Sequence, residues 1–302
     1  MSVKKKAVAA GMDMTTGSLW KKIMLFSVPL MFSQVLQVLF NMADVAVVGK
    51  FSSAEALGAV GSTTILVSLF TGFLIGMGSG VNVIVAQHLG AREKQGVMES
   101  IHTALLLCLL IGGIIMALCL ALAGPMLRLL NTKDDLIAGA ELYFRIYALG
   151  MPALALFNFG NAVLSANGDT TRPLLYLIIA GVLNVILNVF FVIVCGMAED
   201  GVALASIISQ YVSAFLVLLH MIHQKDDCSL HLSKVRLYKG RSKPLLALGI
   251  PAGFQNAIFA IANLFIQRGV NSFESVMVEG NSAASNADTL IYNVMAAFYT
   301  AC

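Results

Sequence analysis

Asp44 closes a run of polar residues, Gln34, Gln37 and Asn41 before it, in a stretch otherwise built from Val, Leu, Phe and Met. At about 100° per residue the four fall within an arc of about 80°, so a helix presents them on one face. A carboxylate at depth in an apolar medium costs about 2.5 to 3.5 kcal/mol on insertion scales, and when ionised it only accepts hydrogen bonds. It therefore needs a proton, a cation or a donor. This chemistry suits ion-coupled translocation, with Asp44 alternating between cation-bound and free states. The competing reading sets Asp44 at an outer interface beside Gly49 and Lys50, paired with that lysine.

Similar stripes recur along the chain. Asn158, Asn161 and Ser165 share one helical face, Asn184 and Asn188 lie four apart, and Ser206, Ser209, Gln210 and Ser213 form a third set. Asn256, Asn263 and Gln267 repeat the pattern of the first stretch without an acidic residue. Such amides and hydroxyls line a polar pathway or act as interhelical glue worth about 0.6 kcal/mol each. His102 reads as a packed or interfacial histidine ahead of a proton relay, and Asp288 as either a helix-start residue or a second coupling carboxylate. Gly76, Gly78 and Gly80 fit close helix contacts, with no strand before them to make a phosphate loop. The five cysteines show no CxxC or His-paired spacing and read as unpaired packing residues.

The elements that must carry these residues follow from composition. Of 302 residues 58% are hydrophobic and only 12% charged, and the mean hydropathy is +0.85. That is too little charge to coat soluble domains of this size, so the expected fold is an all-α integral membrane helix bundle in a lipid bilayer. Eight charge-poor windows of span length occur, near 23–48, 63–85, 101–123, 142–164, 173–195, 201–222, 245–269 and 282–302. Lys and Arg alternate across the loops, with 14 on the side of the N-terminus and 4 on the other. The N-terminus is thereby expected in the cytoplasm of a multi-pass cell-membrane protein, retained rather than cleaved. A net charge of +3 spread over loops disfavours a nucleic-acid-binding face. With no HExxH, no GxSxG and no paired catalytic carboxylates, the chain does not read as an enzyme and no cofactor is expected.

The first and seventh windows align without gaps at an offset of 222, pairing Pro29 with Pro251, Phe32 with Phe254 and Asn41 with Asn263. A proline and an asparagine twelve residues apart are costly in lipid, so the match points to parallel repeats. The domains expected are a six-helix lobe over 1–222, a basic inter-lobe loop over 223–244, and the start of a second lobe over 245–302. Two full units would need about 140 more residues, which marks the chain as a fragment; the alternative is a natural eight-span protein.

Four stretches carry a family resemblance over essentially the whole chain: PLMFSQVLQVLFNMADVAVVGKFSSAEALGAVG at 29–61, AQHLGAREKQG at 86–96, SANGDTTRP at 165–173 running into LNVILN at 183–188, and GVALASIISQ at 201–210. With them the chain resembles the multidrug and toxic compound extrusion transporters, within the larger group of lipid-linked oligosaccharide exporters. The resemblance implies a monomeric antiporter of two six-helix lobes. It would expel organic cations or amphipathic drugs in exchange for protons or sodium. It also implies that Asp44 is the coupling carboxylate and the sodium ligand where sodium couples, helped by Asn41, Asn184, Asn188 and Ser206. The substrate pathway would take in Gln34, Gln37, Asn158, Asn161, Gln210, Asn256 and Asn263. Many relatives carry aspartate where this chain has Asn188, which removes a negative charge. Two other readings stand beside the exporter: a flippase for lipid-linked sugars, which would want a cationic cavity, and a membrane-folded fragment without transport.

Overall fold

The computed structural model describes residues 18–130 and 132–270, together with 291, 292, 295 and 298. Every regular element among them is helical: α1 Leu19–Phe51, α2 Ala54–Gly90, α3 Lys94–Leu129, α4 Asp134–Ala148, α5 Met151–Ala166, α6 Thr171–Val189, α7 Glu199–His223 and α8 Lys239–Val270. A π-helical turn, Phe190–Val194, extends α6, and a short 3-10 turn, Leu232–Lys234, lies between α7 and α8. Long uncapped runs of Leu, Ile, Val and Ala give these lengths, since in hydrocarbon a backbone can satisfy its polar groups only by helical pairing. The window over 282–302, with Asp288, lies outside the described residues.

The helix ends obey local chemistry. The Ser53 side chain accepts from the Ala56 amide at 3.1 Å and caps α2. In SANGDTTRP, Gly168 takes φ +83° and the Asp169 amide reaches back to the Leu164 carbonyl at 2.9 Å, closing α5. Asp169 then accepts from the Arg172 amide at 3.1 Å and starts α6. Arg92 holds φ 59° after α2, a left-handed position where a side chain is unusual.

The structure corrects the fourth window. The span expected over 142–164 is two helices, α4 and α5, bent by 45° at Leu149 and Gly150. Pro152 at the start of α5 cannot continue the preceding ladder, and the Tyr211 hydroxyl donates to the freed Leu149 carbonyl at 3.0 Å. Among the described residues, α2, α3, α6 with its π turn, α7 and the first 25 residues of α8 are long and apolar enough to cross a membrane, as is the bent pair counted as one.

The core lies where α2, α3, α4, α5 and α7 meet, around Ile101, Leu127, Phe144, Met151, Phe159 and Met221, all essentially inaccessible. The exposed large apolar side chains, Leu110, Ile114, Ile186 and Phe215 among them, belong on a lipid-facing surface. Helix α8 packs chiefly on α2. Glycines set that approach: a Cβ at Gly76 would overlap the backbone of Ala252 and Gly253, and one at Gly80 would lie 2.5 Å from the Gly249 nitrogen. The close contacts expected of Gly76 and Gly80 are thus found, against α8.

Candidate functional site

Asp44 sits two turns before the end of α1, half-buried against α6 and α7. Two asparagines four apart on α6 and a serine on α7 converge on it, each buried. The Asn188 Nδ2 donates to Asp44 Oδ1 at 2.5 Å and to Asn184 Oδ1 at 3.2 Å. The Ser206 hydroxyl donates to Asp44 Oδ2 at 3.3 Å and accepts from Asn184 Nδ2 at 3.3 Å. One buried polar atom of the cluster, Asn188 Oδ1, has no partner. The result is a carboxylate from α1 and two amide carbonyls from α6, with acceptor capacity to spare, the donor set of a proton or a hard cation.

The pairing of Asp44 with Lys50 is not formed: the Lys50 ammonium lies over the Phe51 ring, 5.5 Å from its centre. The carboxylate instead opens onto a cavity of about 320 Å³ between α1, α2 and α4 to α7. Gln37, Asn158, Asn184, Ser206 and Gln210 line it. Asn188 stands behind Asp44, and its carbonyl side faces no donor. Asn161 is half-buried outside the lining. Asn256, on α8, donates to the Gly72 carbonyl at 3.3 Å and joins α8 to α2, while Asn263 is exposed. The side chains of Gln34, Asn41 and Gln267 lie outside the described residues.

Sequence reasoning missed half of the cavity wall. Thr63, Thr64, Ser68 and Thr71 on α2 line it, and Tyr143 and Tyr147 on α4 stack with ring centres 6.0 Å apart. Their signals were a hydroxyl set recurring at near-helical spacing and an i, i+4 tyrosine pair on the amphipathic α4. Thr63 and Thr71 donate to carbonyls of their own helix, at 2.7 and 2.8 Å, leaving oxygen lone pairs free. Phe40 from α1 fits against α6 only because position 181 is glycine: a Cβ there would overlap its ring. No Lys, Arg or Glu lines the cavity, so Asp44 is its sole formal charge among the described residues.

The chain has relatives of known sequence and fold. The MatE family model matches residues 29–190. The chain is 32% identical over 280 residues to YpnP of Bacillus subtilis (strain 168), a probable multidrug resistance protein, covering 92% of this chain and 62% of that protein. It is 29% identical over 266 residues to YoeA of the same strain, also a probable multidrug resistance protein, covering 85% and 57%. A solved structure described as an outward-facing multidrug resistance MATE family transporter of the MOP superfamily shares the fold, with a TM-score of 0.87 at 24% identity over 94% of this chain and 63% of that one. The chain spans less than two thirds of the length of each of these proteins.

Proposed function

The chain belongs to the MatE family of multi-pass membrane proteins, and on that premise we propose that it serves cation-coupled export of organic cations or amphipathic drugs across the plasma membrane. The observation that carries this reading is the Asp44 cluster opening onto a cavity whose sole formal charge, among the described residues, is negative. Asp44 takes up a proton or sodium ion as the coupling substrate. Asn188 Oδ1 and Asn184 Oδ1 supply neutral oxygens, and Ser206 holds the carboxylate in place. Loading neutralises Asp44 and removes the electrostatic reason for α6 and α7 to close on α1, which biases the lobe between conformations. A cationic drug in the cavity meets the same carboxylate and the faces of Tyr143 and Tyr147, so drug and coupling ion compete for one charge.

Having asparagine at 188 instead of aspartate leaves one carboxylate for one cation, with no second negative charge to hold another. Export of a fluorescent organic cation, followed in everted vesicles driven by a proton or a sodium gradient, tests the reading. Asp44→Asn abolishes gradient-dependent export; unchanged export by that variant overturns it. The lipid-linked sugar flippase is disfavoured, because pyrophosphate would meet Asp44 and, among the described residues, no cation in this cavity.

A further inference from the structure

The segment between α7 and α8 is strapped to the bundle at a definite depth. His102, wholly buried on α3, accepts the His231 amide at its Nε2 at 3.1 Å while its Nδ1 holds the Met98 carbonyl at 2.6 Å. Thr103 Oγ1 accepts the Tyr238 amide at 3.2 Å, and Arg241 pairs with Glu99 at 3.1 Å. The segment therefore lies level with residues 99–103, where the apolar run of α3 begins. At that depth its outer side chains meet the boundary between headgroups and acyl chains.

Those outer side chains are amphipathic. Leu232 and Leu237 are 67% and 55% exposed, and Lys234, Arg236 and Lys239 stand exposed between and beside them. None of the three cations is in an ion pair among the described residues, and no Asp or Glu occurs from 228 to 244. The Arg236 guanidinium rests over the Tyr238 ring at 4.6 Å, which fixes its direction without neutralising it. We propose that this strapped segment binds the headgroups of anionic phospholipids in the leaflet it faces, with Leu232 and Leu237 at the acyl boundary and the three cations on the phosphates. Zwitterionic lipids bring their own ammonium, which opposes the same cations, so the surface selects net negative charge. A water-soluble partner would have to displace lipid to reach Leu232 and Leu237 at this level.

Trp20 is the chain's single tryptophan, so a reporter can be moved to the site. The full chain carrying Trp20→Phe and Leu237→Trp is placed in bilayers containing brominated phosphatidylglycerol or brominated phosphatidylcholine, and quenching of the tryptophan is compared. Quenching by the anionic lipid in several-fold preference is expected, falling stepwise to parity as Lys234→Gln, Arg236→Gln and Lys239→Gln are combined. High salt weakens the preference and inorganic phosphate does not compete. Equal quenching by both lipids overturns the proposal, as does a preference unmoved by the three glutamines. Absence of quenching by either lipid overturns it too, because the segment would then face water or a protein. Retained helix content in the glutamine variants separates lost binding from lost fold.

Discussion

The two halves of α2 do opposite work. Residues 63–71 put hydroxyls on the cavity wall, and residues 72–80 put glycines against α8. In the first half, neighbouring helices stand off and leave room beside Asp44. In the second, backbones touch so closely that a methyl group at Gly76 has no place. Without a hydrophobic force between helices in lipid, closeness has to come from small residues and separation from side chains that tolerate a cavity. One helix supplies both by changing its residue types along its length, so the cavity has a rigid wall anchored at one end.

The largest effect that would break this contrast is functional. Asp44→Asn should reduce gradient-driven export by well over tenfold while leaving the thermal unfolding of the detergent-solubilised protein nearly unchanged, since the amide oxygen still accepts from Asn188 and the Ser206 hydroxyl can turn to accept from the amide nitrogen. A collapse of folding in that variant would make Asp44 structural. On the closed half, Gly76→Leu should destabilise the bundle by about 1 to 3 kcal/mol, read as a lower unfolding temperature, because the overlap is with backbone that cannot rotate away. A neutral Gly76→Leu would show that α8 is free to stand off. Asn256→Leu should cost about 0.6 kcal/mol through its lost bond to Gly72, a small shift in the same assay. Smallest is Thr71→Val: its hydroxyl is satisfied within α2, so stability should change by less than about 0.5 kcal/mol while drug affinity responds. A large stability loss there would mean that the open half also carries packing.

Legibility followed the same division. Asp44 and the polar stripes holding Asn184, Asn188 and Ser206 stood out in the chain because polar atoms in hydrocarbon are costly. That they belong together was implied by the family resemblance, since spacing orders residues on one helix and says nothing of which helix faces which. Thr63, Thr71 and Tyr147 passed as ordinary because a threonine bonded to its own helix, or a tyrosine at helical spacing, carries no such cost. Asn256 and Asn263 echoed α1 in pattern, yet the first joins two helices and the second is exposed. An offset match compares residue types along two stretches, whereas lining a cavity depends on which neighbour faces the helix. The bend at Gly150 was hidden within an unbroken apolar window, where hydropathy is blind to the direction of the axis.

The strap between α7 and α8 also sets how force passes from α3 to α8. Fifteen slack residues could reach roughly 50 Å at full extension and would let the two ends move independently. Held at His231, Tyr238 and Arg241, the segment has almost no free length before α8 begins. Cys228 lies inaccessible within it, its thiol pushed up to about 12 by burial and by Asp226 and Asp227, so maleimide at neutral pH should mark exposed Cys195 and spare Cys228. The joint behaves as a stiff coupling, and displacement of α3 is handed to the base of α8 with little lost motion.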